Sequence, residues 1–208
     1  MPERSAMQRV ALGGAQFGLP YGVARSGPRV SEAQAHAILD ESFALGVRLL
    51  DTAMAYGDSE EVLGRHGLKG WSVVSKLPAL PEDEPDALAW VQRSVEGSLK
   101  RLGVTALHGL LLHRPAQLLE ARGPALLQGL CAVQAQGLVG RIGVSIYGPE
   151  ELAPLMALHP FSLVQAPASI LDQRLHQSGW AERLRRSRTV RLTDSGRRAM
   201  HRDFGATM

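Results

Sequence analysis

Six short apolar runs recur along the chain, and helical periodicity fills the intervals between them. The runs are RVALGG (9–14), VRLLDTA (47–53), WSVVSKL (71–77), HGLLLH (108–113), RIGVSIY (141–147) and FSLVQAP (161–167). In the first interval Ser31 and Gln34 have capping-box spacing, Ile38, Leu39 and Leu45 share one face, and Gly46 ends the pattern. Asp58 or Ser59 caps a short helix that stops near Gly67. Pro85 opens a longer one, whose Leu88, Val91, Val95, Leu99 and Leu102 recur at helical spacing up to Gly103. Residues 124–136 and 149–158 supply two more, with Gly137 stopping the first. Such alternation predicts βαβ units and a parallel sheet. The strand starts advance by about 30 residues, the pace of a (β/α)8 barrel with roughly 250 residues in eight units. A doubly wound open sheet alternates in the same way, so periodicity alone does not choose between the two.

Composition narrows the class further. Of 208 residues 45% are hydrophobic, 21% charged and only 5% aromatic, so Leu, Val and Ala must build the core of a globular protein. The lone Cys131 rules out an internal disulfide framework and fits a reducing compartment. No apolar run approaches the roughly 18 residues of a membrane span. MPERSAMQRV lacks the apolar stretch of a signal peptide, and the expected compartment is the cytoplasm. The net charge of +3 is unevenly spread. From Glu182 onward eight arginines face three acids, a local balance of +5, whereas the first 181 residues balance at −2. The basic character belongs to the C-terminal stretch.

The ends of the strands carry the chemistry. Strand two ends on Asp51, strand three on Lys76 and strand four on His113, while Ser145 and Gln165 lie near the C-terminal ends of strands five and six. In a parallel barrel those ends open on one face, where barrel enzymes build their sites. Singly, each residue has an ordinary reading. Asp51 could cap a turn, Lys76 could be a solvated strand end, His113 a loop histidine and Tyr56 a half-buried ring. Together they form a group able to protonate a carbonyl oxygen. A tyrosine has a pKa of roughly 10 and is a poor acid at neutral pH. A neighbouring ammonium favours the phenolate and eases the proton's departure. An aspartate pairing with that lysine would hold it charged, and a histidine could orient the carbonyl. These are the parts of a carbonyl reductase fed with hydride by a nicotinamide.

DTAMAYGDSEEVLG (51–64) resembles the Asp-Thr-Ala-x-x-Tyr-Gly signature of the aldo-keto reductase superfamily. SLKRLGVTALHGLLLHRP (98–115) is similar to its second signature, VVSKL supplies the lysine, and GRIGVS resembles the segment that meets the nicotinamide carboxamide. The opening LGGAQFGLPYG resembles that of bacterial members with LGxAQFGLPYG. Over residues 8–184 the resemblance implies an α/β fold of the (β/α)8 TIM-barrel type and reduction of an aldehyde or ketone by NADPH. It implies Tyr56 as general acid, Lys76 and Asp51 as its tuning partners, and His113 as the carbonyl-orienting residue. It further implies that Ser145 and Gln165 bind the carboxamide, with Gly14 and Asp51 beside the cofactor. Three positions depart from the family: Ile146 and Ser169 where many members have Asn, and His108 where Asp is common.

The resemblance ends after SGWAERLR, where the family continues through strands seven and eight and the loop gripping the 2′-phosphate. RSRTVRLTDSGRRAMHRDFGATM has no strand-length apolar run. The expectation is an incomplete barrel of about six parallel βα units over 1–184, C-terminally truncated relative to the family, and an irregular basic tail, disordered, over 185–208. Strands one and six would then offer unpaired edges, a route to self-association. Cofactor affinity would be reduced and the chain a weak enzyme or none. The alternative is a non-catalytic fragment that associates through those edges. Nucleic-acid binding by the tail is the weakest reading, because no aromatic residues interleave its arginines.

Overall fold

The computed structural model describes residues 6–20, 30–187 and 189–194. Seven parallel strands form one sheet in sequence order: β1 (Ala11–Gly13), β2 (Leu49–Asp51), β3 (Ser72–Leu77), β4 (Gly109–Leu112), β5 (Ile142–Ser145), β6 (Leu163–Pro167) and β7 (Val190–Asp194). The helices between them are α1 (Ala15–Gly18), α2 (Glu32–Ala44), α3 (Ser59–His66), α4 (Ala87–Leu102), α5 (Gly123–Ala135), α6 (Leu152–Leu158), α7 (Arg174–Gln177) and α8 (Trp180–Arg186). Strand pairing with each sequence neighbour is what helical crossovers of this length produce.

The sheet is curled. Gln165 on β6 donates to Asp51 on β2 at 2.9 Å, although the two strands are four positions apart in the sheet. A flat sheet with strands about 4.8 Å apart would separate them by about 19 Å. Only curvature toward a barrel brings them into contact, which decides between the two architectures left open by periodicity in favour of the barrel that the resemblance implied. The fold is an incomplete (β/α)8 barrel.

Local sequence explains most elements. The Ser31 hydroxyl accepts from the Gln34 amide and the Gln34 side chain reaches back, completing the expected capping box of α2. Asp86 caps α4, and Gly103 ends it in the left-handed region. Val91, Val95, Leu99 and Leu102 of α4 are buried at the expected spacing. On α2 the expected face is wrong in part. Ala35 and Leu39 are buried, but Ile38 and Leu45 are exposed, because the buried stripe follows the 35/39 spacing and leaves Ile38 about 100° to one side. At α3 the N-cap position is Asp58, whose side chain makes no capping bond. The Ser59 hydroxyl points instead to the Gly14 carbonyl at 2.8 Å.

Two apolar layers hold the barrel. The larger packs the helices on the outer face of the sheet and includes Leu50, Leu63, Val91, Leu110, Leu112, Ile142, Val144 and Val164. The smaller lies inside the curl, where Val74, Leu111 and Leu163 pack with Leu49 and Leu192. With the two-residue period of strands, these inner residues stand one step below Asp51, Lys76, His113 and Gln165. The inside of the barrel is therefore an apolar floor beneath a polar rim.

The C-terminal stretch differs from the irregular tail expected after residue 184. Helix α8 runs to Arg186 with Ala181 and Leu184 buried, and Val190–Asp194 pairs with β6 over its whole length, from Leu163↔Val190 to Pro167↔Asp194. Leu192 joins the floor cluster, and the buried Thr189 donates to the Phe161 carbonyl at 3.3 Å. VRLTD is too short and too arginine-flanked to read as a strand by itself. Backbone pairing with β6 and one inward leucine supply what its composition lacks. The unpaired edge thus passes from β6 to β7 among the described residues. Residues 195–208, the rest of the predicted tail, lie outside them. Arg185 and Arg186 both bond Glu182 at 2.7 and 3.0 Å, holding its carboxyl down to about 2, so part of the basic charge is matched locally. No helix among the described residues is long and apolar enough to cross a membrane.

Leu111 is fully buried at the centre of the floor. Replacing it with alanine should cost about 2–5 kcal/mol of stability, read as a lower urea midpoint with an unchanged slope.

Candidate active site

Register places the rim. Asp51 aligns with Val74 on the next strand, so Lys76 stands two residues further along β3. Lys76 aligns with Leu111, so His113 stands two residues beyond that. This stagger is the tilt of a barrel, and it lets a long lysine side chain reach back to the shorter aspartate.

The Lys76 ammonium donates to Asp51 Oδ1 at 2.6 Å and to the Thr52 carbonyl at 2.9 Å. The lysine is completely buried, while 17% of the Asp51 side chain is exposed. Burying an unpaired ammonium costs several kcal/mol, and these two acceptors offset that cost. The Lys76 nitrogen lies 5.0 Å from the centre of the Tyr56 ring. His113, half-buried, meets the same ring edge-on, with centroids 5.9 Å apart and planes at 81°. The four residues predicted from strand ends and the Tyr-Gly motif therefore come together, Lys76 and His113 against the Tyr56 ring and Asp51 on the Lys76 ammonium.

The remaining predicted residues continue the chain of contacts. Ser145 Oγ donates to Gln165 Oε1 at 3.0 Å, and Gln165 Nε2 donates to Asp51 Oδ2 at 2.9 Å. Both residues are buried, and paired register sets them side by side on β5 and β6. A glutamine amide has two acceptor positions and two donor hydrogens. These contacts use one of each, and the complement of what remains is a second carboxamide. The residues thus fit the amide end of a nicotinamide. Ile146, also buried, adds no side-chain hydrogen-bonding group there.

Gly14 sits where β1 enters the site. Its amide donates to the Asp51 carbonyl at 2.8 Å, and an added Cβ would lie 3.1 Å from Ser59 Oγ. Gly18 and Gly57 make a closer approach. A Cβ on Gly18 would overlap the Tyr56 carbonyl, and Gly57 has φ +56°. Backbone lies directly on backbone here, which fixes the Tyr56 loop against the first turn.

Sequence reading missed the supporting residues. Thr52 supplies the second acceptor for Lys76 and shares a 3.0 Å hydrogen bond with Ser59. Glu60, 1% exposed, accepts from Ser75, Ser98 and Arg101. Its spacing from Leu63 and Gly64 places it on the buried stripe of α3, a signal present in the sequence.

The curled parallel sheet is that of an incomplete (β/α)8 barrel with a polar rim, and comparison with known proteins gives its family. The model of the aldo/keto reductase family matches residues 9–192, and the chain belongs to that family. It is similar to the Aldo-keto reductase YhdN of Bacillus subtilis, with 26% identity over 144 residues, covering 64% of this chain and 43% of the relative. It spans less than half the length of the curated relatives it matches, 43–48%. Among solved structures, the Pseudomonas aeruginosa protein PA4992, assigned to the aldo-keto reductases, superposes with a TM-score of 0.72 at 28% identity, over 88% of this chain and 71% of that one. The glycerol dehydrogenase AKR11B4 from Gluconobacter oxydans superposes with a TM-score of 0.65 at 28% identity, over 89% and 58%.

Replacing Gly18 with alanine forces the Tyr56 loop away from α1. It should cost about 1–3 kcal/mol by overpacking, seen as a reduced thermal midpoint, whereas alanine at Gly13, with nothing within 4 Å of the added Cβ, should leave the midpoint nearly unchanged.

Proposed function

We propose that this chain carries the catalytic face of an NADPH-dependent reductase that converts an aldehyde or ketone to an alcohol. The observation behind this reading is that Lys76 and His113 both meet the Tyr56 ring at the mouth of the barrel, with Asp51 bonded to Lys76. When bound, the nicotinamide would supply hydride to the carbonyl carbon. Ser145 and Gln165 would hold its carboxamide, and Gly14 and Asp51 would line its path. Tyr56 would donate its phenolic proton to the developing alkoxide. Lys76 stabilises the phenolate left behind, because a fixed positive charge favours the ionised phenol. Asp51 keeps Lys76 charged and in place. His113, edge-on to the same ring, would orient the carbonyl oxygen.

Barrel phosphate sites are often built after strands seven and eight. The carboxamide end is the part of the cofactor site that the described residues would build. A second reading rests on a different observation: β1 and β7 each have a single strand neighbour among the described residues. Open edges of this kind recruit other strands, and association of the chain through them would appear in sedimentation as a mass that rises with concentration. A compact monomer at all concentrations would remove that reading.

Titration with NADPH, followed by nucleotide fluorescence, should saturate below millimolar cofactor. Tyr56→Phe should keep that binding and reduce carbonyl turnover by about 10²–10⁴-fold, the usual worth of a positioned general acid. Absence of saturable binding at millimolar NADPH would remove the reductase reading.

A further inference from the structure

Glu60 is a buried carboxylate that the proton transfer does not use. Its Oε1 accepts from Ser75 at 2.6 Å and from Ser98 at 2.7 Å. Its Oε2 accepts from Arg101 Nε at 2.8 Å and lies 2.7 Å from Arg101 Nη2 as an ion pair. The helices approach closely enough for this because Gly64 lies against the Arg101 backbone, where a Cβ would overlap the carbonyl oxygen. Burying a charge costs several kcal/mol, and apolar residues of similar volume often serve stability as well or better. A carboxylate with three hydrogen bonds and an ion pair offers something apolar packing does not, a fixed geometry between the elements that supply the donors.

Those elements bear the proposed proton donor and its partner. Glu60 lies four residues after Tyr56, in the first turn of α3. Ser75 immediately precedes Lys76 on β3, with its side chain on the opposite, outer face of the strand. The Ser75–Glu60 bond therefore links the segment that carries the phenol to the strand position that carries the ammonium. Ser98 and Arg101 brace the same carboxylate from α4. Ser59 holds the other side of the turn through Gly14 and Thr52.

We propose that Glu60, held by Ser75, Ser98 and Arg101, is a positioning residue that sets the distance between the Tyr56 phenol and the Lys76 ammonium. It acts from behind the sheet, touching neither substrate nor cofactor. This rests on the assignment of Tyr56 and Lys76 as acid and partner, but its test does not require turnover. Loosening the link lets the ammonium move from the phenol, and the phenol then ionises at higher pH.

The experiment is an ultraviolet phenolate titration of the full chain, with the Tyr56 signal isolated by difference against Tyr56→Phe; the chain has three tyrosines. Ser75→Ala, the milder change, and Glu60→Gln should each raise the Tyr56 midpoint by about one pH unit, a fraction of the effect of a charge at this range. Where NADPH turnover is measurable, kcat should fall about tenfold with the KM for NADPH unchanged. If Glu60→Gln does not fold, Ser75→Ala decides. A lower thermal midpoint with an unmoved Tyr56 titration would make Glu60 merely structural and overturn the proposal. So would a Tyr56 signal that ionises only on global unfolding in both parent and variants. A parent chain that binds no NADPH while its Tyr56 titration shifts as stated would defeat the reductase reading and leave this one standing.

Discussion

The Lys76 ammonium is the constraint around which the rest of the site is arranged. A lysine without solvent access persists as a cation only if nearby acceptors replace its water. Here the Asp51 carboxylate and the Thr52 carbonyl do so. Both belong to the end of β2, so the requirement couples the tips of two adjacent strands. Asp51 is in turn fixed by Gln165 from across the barrel. One buried charge thereby ties β2, β3 and β6 together at the mouth of the curl, above the apolar floor that fills its middle.

Around that charge the fold separates stability from chemistry in space. Leucines and valines one step below the rim fill the interior, and the larger apolar layer seats the helices outside the sheet. The rim residues can then be polar because the layers above and below the sheet supply the burial that holds the strands. Behind the sheet, the Glu60 network is a second polar cluster, fully bonded and away from the rim. The Lys76–Asp51–Gln165 set and the Glu60 set are each buried together with their polar partners, the condition under which they fix geometry without a large loss of stability.

Much of the candidate site was legible because strand ends carry their own markers. Asp51, Lys76 and His113 terminate apolar runs, and the Tyr56-Gly57 pair follows at a distance that only a short loop can span. The supporting residues were harder to read. Nothing adjacent to Ser75 or Ser98 marks them as partners of Glu60, since those contacts join positions 15 and 38 residues apart. The exposed Ile38 shows the opposite failure: periodicity named a face, and packing against α3 chose a slightly different one.

By itself, the sequence determined the alternation of strands and helices, the parallel order and the identity of the residues at the strand tips, because these follow from local periodicity, capping and spacing. Tertiary structure alone decided that Gln165 reaches Asp51 and that VRLTD becomes a strand, and it showed the curl that the motifs implied but periodicity left open. Curvature is a property of the whole sheet and of the staggered register between strands, which no single segment encodes. A weak five-residue stretch becomes a strand only when an existing edge offers it a full ladder of hydrogen bonds.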